Sequence, residues 1–393
     1  MASYYLGNLF YDRKQYDKSC SLWLTAYKNR SKNAGRAVNS ADGATGTSAD
    51  CAAESKKSAV SSISGTLCRN LAMYYFNKKN DNETALVYMS EAVKLAPGDS
   101  RILMEYDALT DLCGTSPENR LDFLEKRLSL VKERDALYAE YITLLNTVGR
   151  FEDALACIKN HTFHPWEGGE GKVSSQFVFS LTELGRKKLA EGDGATALSL
   201  FTEALSYPEN LGEGKLPGTQ DTILFYYAGC AEKLLGNDEK AASWWEKASV
   251  GLTEPSRRLY YNDQPSDTIF YQGLACIKLN KPEEAKRRFH KLMRYGEQHY
   301  FDETGFDYFA VSLPDTGIFH ADADKTAKTD CLYLQALGNL GMGLFDADYL
   351  KKADSCLKNA LGMQASHQGI IRHIKLLRQI ESGKTVEACS WKK

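Results

Sequence analysis

The sequence lacks an excess of either charge sign, an apolar run of membrane-spanning length and closely spaced cysteines, and each absence removes a class of function. Lys plus Arg number 49 and Asp plus Glu 51, giving a formal charge of -2 over 393 residues. There is no basic field to attract nucleic acid or an anionic membrane surface, so neither is expected as a partner. The opening MASYYLGNLFYDRK reaches Asp12, Arg13 and Lys14 before any apolar stretch of signal-peptide length. No later stretch is long enough to cross a bilayer, and a soluble chain is expected.

The ten cysteines, at 20, 51, 68, 113, 157, 230, 276, 331, 356 and 389, never lie closer than 17 residues. Neither CxxC nor zinc-ribbon spacing occurs, and several cysteines replace alanine in helical patterns, as at Cys157. They read as small buried hydrophobes in a reducing cytoplasm. His164, His299, His367 and His373 form no HExxH or comparable metal spacing, and no serine or cysteine sits in a nucleophile elbow. No cofactor, metal or catalytic residue is therefore assigned.

What the sequence does contain is a repeat. Aligning GRFEDALACIKNH (149–161), GDGATALSLFTEAL (192–205), GNDEKAASWWEKAS (236–249) and NKPEEAKRRFHKLM (280–293) places Ala154, Ala197, Ala241 and Ala285 in one column, at steps of 43, 44 and 44 residues. Four positions on stand Ile158, Phe201, Trp245 and Phe289. Twelve positions before the last three alanines stand Gly185, Gly229 and Gly273, whereas the first copy has Ile142. Small residues at helix crossings let two axes approach to about 8 to 10 Å, and the bulky residue fills the hole between successive pairs.

This register resembles the tetratricopeptide repeat. Weaker copies extend it: Leu6, Gly7, Phe10, Tyr16, Ser19, Trp23 and Ala26 near the start, then Leu71, Ala72, Tyr75, Ala85, Met89 and Ala92. A last copy carries Leu337, Gly338, Ala353, Leu357 and Ala360. The resemblance covers nearly the whole chain and implies an all-α fold over 1–393: a right-handed α-solenoid of seven or eight helix pairs. At finer grain, FHPWEGGEGK, NLGEGK, YYNDQPSDTIFYQG and DYFAVSLPD look like the carboxy-terminal half of large bacterial repeat proteins with an upstream β-rich domain of unknown function. No activity or catalytic residue follows from that likeness.

Two segments break the pattern. Residues 31–60 are small, polar and aperiodic, and read as a flexible low-complexity insertion. Residues 296–328 read as an irregular insertion rich in acids and aromatics.

The repeat units of 43 or 44 residues exceed the usual length of about 34. The surplus follows the second helix of each pair, at 161–172, 207–219 and 251–267, and should line up along one edge of a solenoid. The decapeptide FHPWEGGEGK (163–172) is not a phosphate loop, because Lys172 precedes Val173 rather than Ser or Thr, and Glu167 and Glu170 would repel phosphate. Its GEGK recurs 43 residues later at 212–215, so it belongs to the repeat.

Two uses of these loops remain open. Gly168, Gly169 and Gly171 suit helix capping, whereas the acids and aromatics suit contact with a ligand or partner. The candidate binding residues are His164, Trp166, Glu167, Glu170, Tyr260, Tyr261, Asp263, Gln264, Asp267, His299, Asp302, Asp307 and Tyr308. Non-catalytic recognition of a partner protein, or of an upstream domain of the same protein, through groove and loop edge is expected, because the chain opens on helical pattern without the polar cap a solenoid end needs. The alternative is an oligosaccharide-binding or carbohydrate-active protein, in which two of these carboxylates would have to face each other at about 5 to 10 Å.

Overall fold

The computed structural model describes residues 2–38, 47–257, 263–303 and 318–383, with side chains not described at 31–38 and 47–62. Among the described residues there are eighteen α-helices, one 3₁₀ turn and no strand, so the fold is all-α. The chain divides into two compact units, residues 1–115, 122–138 and 317–321 forming the first and the remainder the second.

The first unit holds α1 (Ala2–Asp12), α2 (Tyr16–Val38), α3 (Thr47–Lys79), α4 (Asn82–Leu95) and α5 (Ser100–Leu112). Trp23 is buried, its indole N–H donating to Asn8 Oδ1 at 2.9 Å, and it presses on Gly7 so closely that a Cβ there would stand 2.5 Å from the ring. Leu71, Ala72, Ala85, Met89 and Ala92 are fully buried, as the repeat register requires. Within 31–60, α2 continues to Val38 and α3 opens at Thr47. Ala34 and Ala37 on α2 and Ala49, Ala52, Ala53 and Ala59 on α3 supply helix propensity there.

Three further helices follow: α6 (Pro117–Glu125), α7 (Leu128–Val131) and α8 (Asp135–Thr147). The second unit, which takes up α8 at Ala139, holds antiparallel pairs: α8 with α9 (Phe151–Lys159), α10 (Lys172–Ala190) with α11 (Gly194–Glu203), α12 (Thr222–Leu234) with α13 (Asp238–Ala248), α14 (Thr268–Lys278) with α15 (Pro282–His299), and α16 (Ala323–Met342) with α17 (Asp348–Met363). These are tetratricopeptide-like helix pairs. Within 296–328, α15 reaches His299 and α16 opens at Ala323.

The turn inside the first four of these pairs carries one left-handed residue, supplied by Gly149 (φ 90°), Gly192 (φ 82°), Gly236 (φ 81°) and, in the fourth, Asn280 (φ 56°). The alanine column is fully buried, and the bulky column nearly so. Each helical glycine touches the aromatic sixteen residues on: a Cβ at Gly185, Gly229 or Gly273 would stand 2.3 to 2.5 Å from Phe201, Trp245 or Phe289. Gly229→Ala is therefore expected to destabilise the second unit by about 1–3 kcal/mol, the range for overpacking. Gly214→Ala, where a Cβ meets nothing within 4 Å, should be near neutral when both variants are read by urea denaturation.

Candidate functional site

The first two surplus loops brace one another, and the third is tied to itself. Asn210 donates its side-chain amide to Ile158 O and His161 O at 2.8 Å each, satisfying carbonyls at the end of α9. Phe163 N donates to Asn210 O at 2.8 Å, and Gly212 (φ 75°) lies so near Phe163 that a Cβ would stand 2.5 Å from its carbonyl oxygen. The Glu213 carboxylate accepts from Gly171 N at 2.8 Å and Ser174 N at 3.1 Å, capping the start of α10 from the next repeat. Lys215 holds Asp221 at 2.7 Å and Leu205 O at 2.9 Å. In the third loop, Gln264 exchanges bonds with both backbone polar groups of Leu252.

Beside this brace the loops line an open cavity of about 610 Å³. Its walls come from the first loop (Glu170, Gly171, Lys172), the second (Tyr207, Glu213, Gly214, Leu216, Thr219, Gln220, Asp221) and the third (Asp263, Pro265, Asp267), and from His367, Gln368, Gly369 and Arg372. Phe179 and Tyr207 are its aromatic rings. Five carboxylates face it against Lys172 and Arg372. Burial raises the Asp221 carboxyl against the opposing pull of Lys215, and burial keeps His367 neutral by lowering it to about 4.

Of the candidate residues, Glu170, Asp263 and Asp267 meet in this cavity. Trp166 does not line it: the half-buried indole packs on Gly169, where a Cβ would stand 2.2 Å from the ring. His164 and Glu167 are exposed outside the lining, and Gln264 is spent on Leu252. His299 and Asp302 pair with each other at 2.6 Å, also outside it. Tyr260, Tyr261, Asp307 and Tyr308 lie outside the described residues. Among the described residues no three His, Cys, Asp or Glu side chains are grouped to hold a metal ion, and no helix is long and apolar enough to cross a membrane.

The remaining wall belongs to α18 (Gln368–Glu381), which runs across the first helices of successive pairs in the second unit. Gln368 exchanges amide bonds with Gln176 on α10 at 3.0 and 3.1 Å and donates to Thr143 O on α8 at 3.2 Å. Arg372 donates to Glu183 on α10 at 2.5 Å, while Arg186 reaches the same carboxylate at 3.0 Å. All three charged residues are buried. Burial alone would raise the Glu183 carboxyl, but the two guanidiniums outweigh it and hold the group at about 2.

His373 is fully buried between Tyr271 on α14, whose hydroxyl is 3.0 Å from Nε2, and Tyr333 on α16, 3.1 Å from Nδ1. Nδ1 is also 2.7 Å from Gly369 O, and a carbonyl only accepts, so Nδ1 carries the proton and Nε2 accepts from Tyr271. Sequence reasoning assigned α18 no role. Its pattern of Ile370, His373 and Leu377 at helical spacing was the available signal, but nothing local names its partners.

Burial, and secondarily the Arg372 charge, lower His373 to about 3. A histidine depressed in the folded state contributes stability that is complete above its unfolded value near 6.5 and is lost as pH falls towards 3. By pH 4.5 the loss from His373 should be on the order of 2–3 kcal/mol. Melting temperature is expected to fall between pH 7 and 4.5, with a shallower slope in His373→Gln.

No family model matches the sequence. The chain is similar in structure to a tetratricopeptide repeat protein from Parabacteroides merdae, at 13% identity over 74% of this chain and 92% of that one, TM-score 0.38. It is similar to Pseudomonas aeruginosa pilF, at 13% identity over 60% of this chain and 92% of that one, TM-score 0.34. It is also similar to yeast Tom70, at 12% identity over 98% of this chain and 96% of that one, TM-score 0.24. Likenesses this distant carry no ligand or activity across, and the helix-pair architecture stands on the packing described above.

Proposed function

We propose that this chain is a non-catalytic recognition module that holds a basic segment of a partner protein in the loop-edge cavity of its second unit. One observation carries the reading: loops from three successive repeats, separated by 43 or 44 residues, converge on a single cavity whose rim is acidic. Glu170, Glu213, Asp221, Asp263 and Asp267 together give the cavity wall the negative charge that would receive a lysine or arginine. A rigid scaffold carrying variable loops is a common arrangement for binding. The carbohydrate reading is less favoured because Trp166, its best stacking platform, packs on Gly169 outside the cavity.

The test is titration with short fluorescent peptides of lysine and arginine, acidic peptides of equal length, and an oligosaccharide panel. Saturable, salt-sensitive binding of the basic peptides alone, lost in Glu170→Lys with Asp263→Lys, is expected. Saturable binding of an oligosaccharide, or indifference to peptide charge, would contradict it.

A further inference from the structure

The contact between α18 and the first-helix face of the second unit is largely polar: Gln368, Arg372 and His373 meet Gln176, Glu183, Tyr271 and Tyr333, with Ile370, Leu376 and Leu377 as buried apolar anchors. Permanent interfaces resemble cores, whereas interfaces that form and part are richer in polar contacts that water can replace. The helix is joined to α17 by residues 364–367 alone and is the last helix among the described residues. Charge complementarity defines what fits there: Glu183 asks for a guanidinium, and the two tyrosine hydroxyls ask for a neutral ring or amide.

We infer that α18 is a displaceable ligand in cis: it closes the first-helix face, and an amphipathic partner helix presenting an arginine to Glu183 between branched apolar anchors takes its place. This goes beyond the loop-edge reading: it shares Gln368 and Arg372 with the cavity wall but makes no use of the carboxylates Glu170, Asp263 and Asp267. Tethering gives α18 an effective concentration on the order of millimolar, so a helix in trans binds more weakly than its intrinsic affinity until the cis helix is damaged.

The experiment uses the full chain and a fluorescent peptide of residues 366–383. The wild-type peptide is expected to bind a chain carrying Arg372→Ala and Leu376→Ala at least tenfold more tightly than the unaltered chain. Adding Glu183→Gln to the altered chain should reverse that gain. Because the altered chain could lose its fold, native-state hydrogen exchange on the unaltered chain is the second measurement: α18 amides should exchange faster than those of α12 and α14. Equal peptide affinity for both chains, binding to neither, or exchange of α18 in step with α14 would overturn the inference. So would a dimer of the unaltered chain that becomes monomeric on Arg372→Ala, since the occupant would then be α18 of a second copy.

Discussion

Glu183→Ala is expected to lower the stability of the second unit by about 3–5 kcal/mol, the range for removing one partner of a buried ion pair. The carboxylate is buried and takes bonds from both Arg186 and Arg372, so its loss leaves two buried guanidiniums without their counter-charge. The rings beneath them, Tyr227 5.4 Å from Arg186 and Phe179 4.4 Å from Arg372, offer only weaker compensation. Replacing all three charges together, as Glu183→Leu, Arg186→Met and Arg372→Met, should recover most of the loss, because apolar residues of similar volume often substitute for a buried ionic cluster without penalty. Urea denaturation at pH 7 distinguishes the two results. Acid should also narrow the gap: the Glu183 carboxyl, depressed in the folded state, contributes stability that is present above its unfolded value near 4.5 and is lost as pH falls towards 2.

Phe289→Ala is expected to produce a loss of similar size, about 3–5 kcal/mol, by a different route. The ring is fully buried, and the glycines Gly273 and Gly341 lie against it so closely that a Cβ on either would stand 2.3 or 2.4 Å from a ring carbon. Those glycines exist to admit the ring, and once it is gone they offer no side chain to move into the void. The cavity therefore persists, and its full penalty is felt. Thermal or urea unfolding should show Phe289→Ala well below Trp166→Ala, since Trp166 is only half-buried at the loop edge.

The packing of Phe289 was legible because everything it needs recurs at a fixed step. The glycine sixteen residues before it and the alanine four residues before it repeat with Phe201 and Trp245, and periodicity within a repeat is local information. The Glu213 cap on α10 was legible in part. The recurrence of GEGK at 43 residues tied the two loops together, but only the structure shows the second loop's carboxylate turned back on the first loop's amides.

Glu183, Arg372 and His373 lay beyond reach for the opposite reason. Glu183 and Arg372 are 189 residues apart, and nothing in the repeat period relates them. Each also sits on an amphipathic helix where a charged residue reads as solvated surface, a reading that is wrong only when another helix covers it. The loop edge shows the same division: the repeat predicted that three connections would share a side, while which of their acids face one cavity, Glu170, Asp263 and Asp267 rather than Glu167, depends on turns that spacing does not encode.

Both the cavity wall and the closed first-helix face depend on α18 lying where Arg372 meets Glu183. A double-mutant cycle on Glu183→Gln and Arg372→Leu, read as unfolding free energy at pH 7, tests that placement directly. The account predicts a coupling energy of about 1–3 kcal/mol, as for residues in one buried network, whereas additivity within about 0.5 kcal/mol would contradict it.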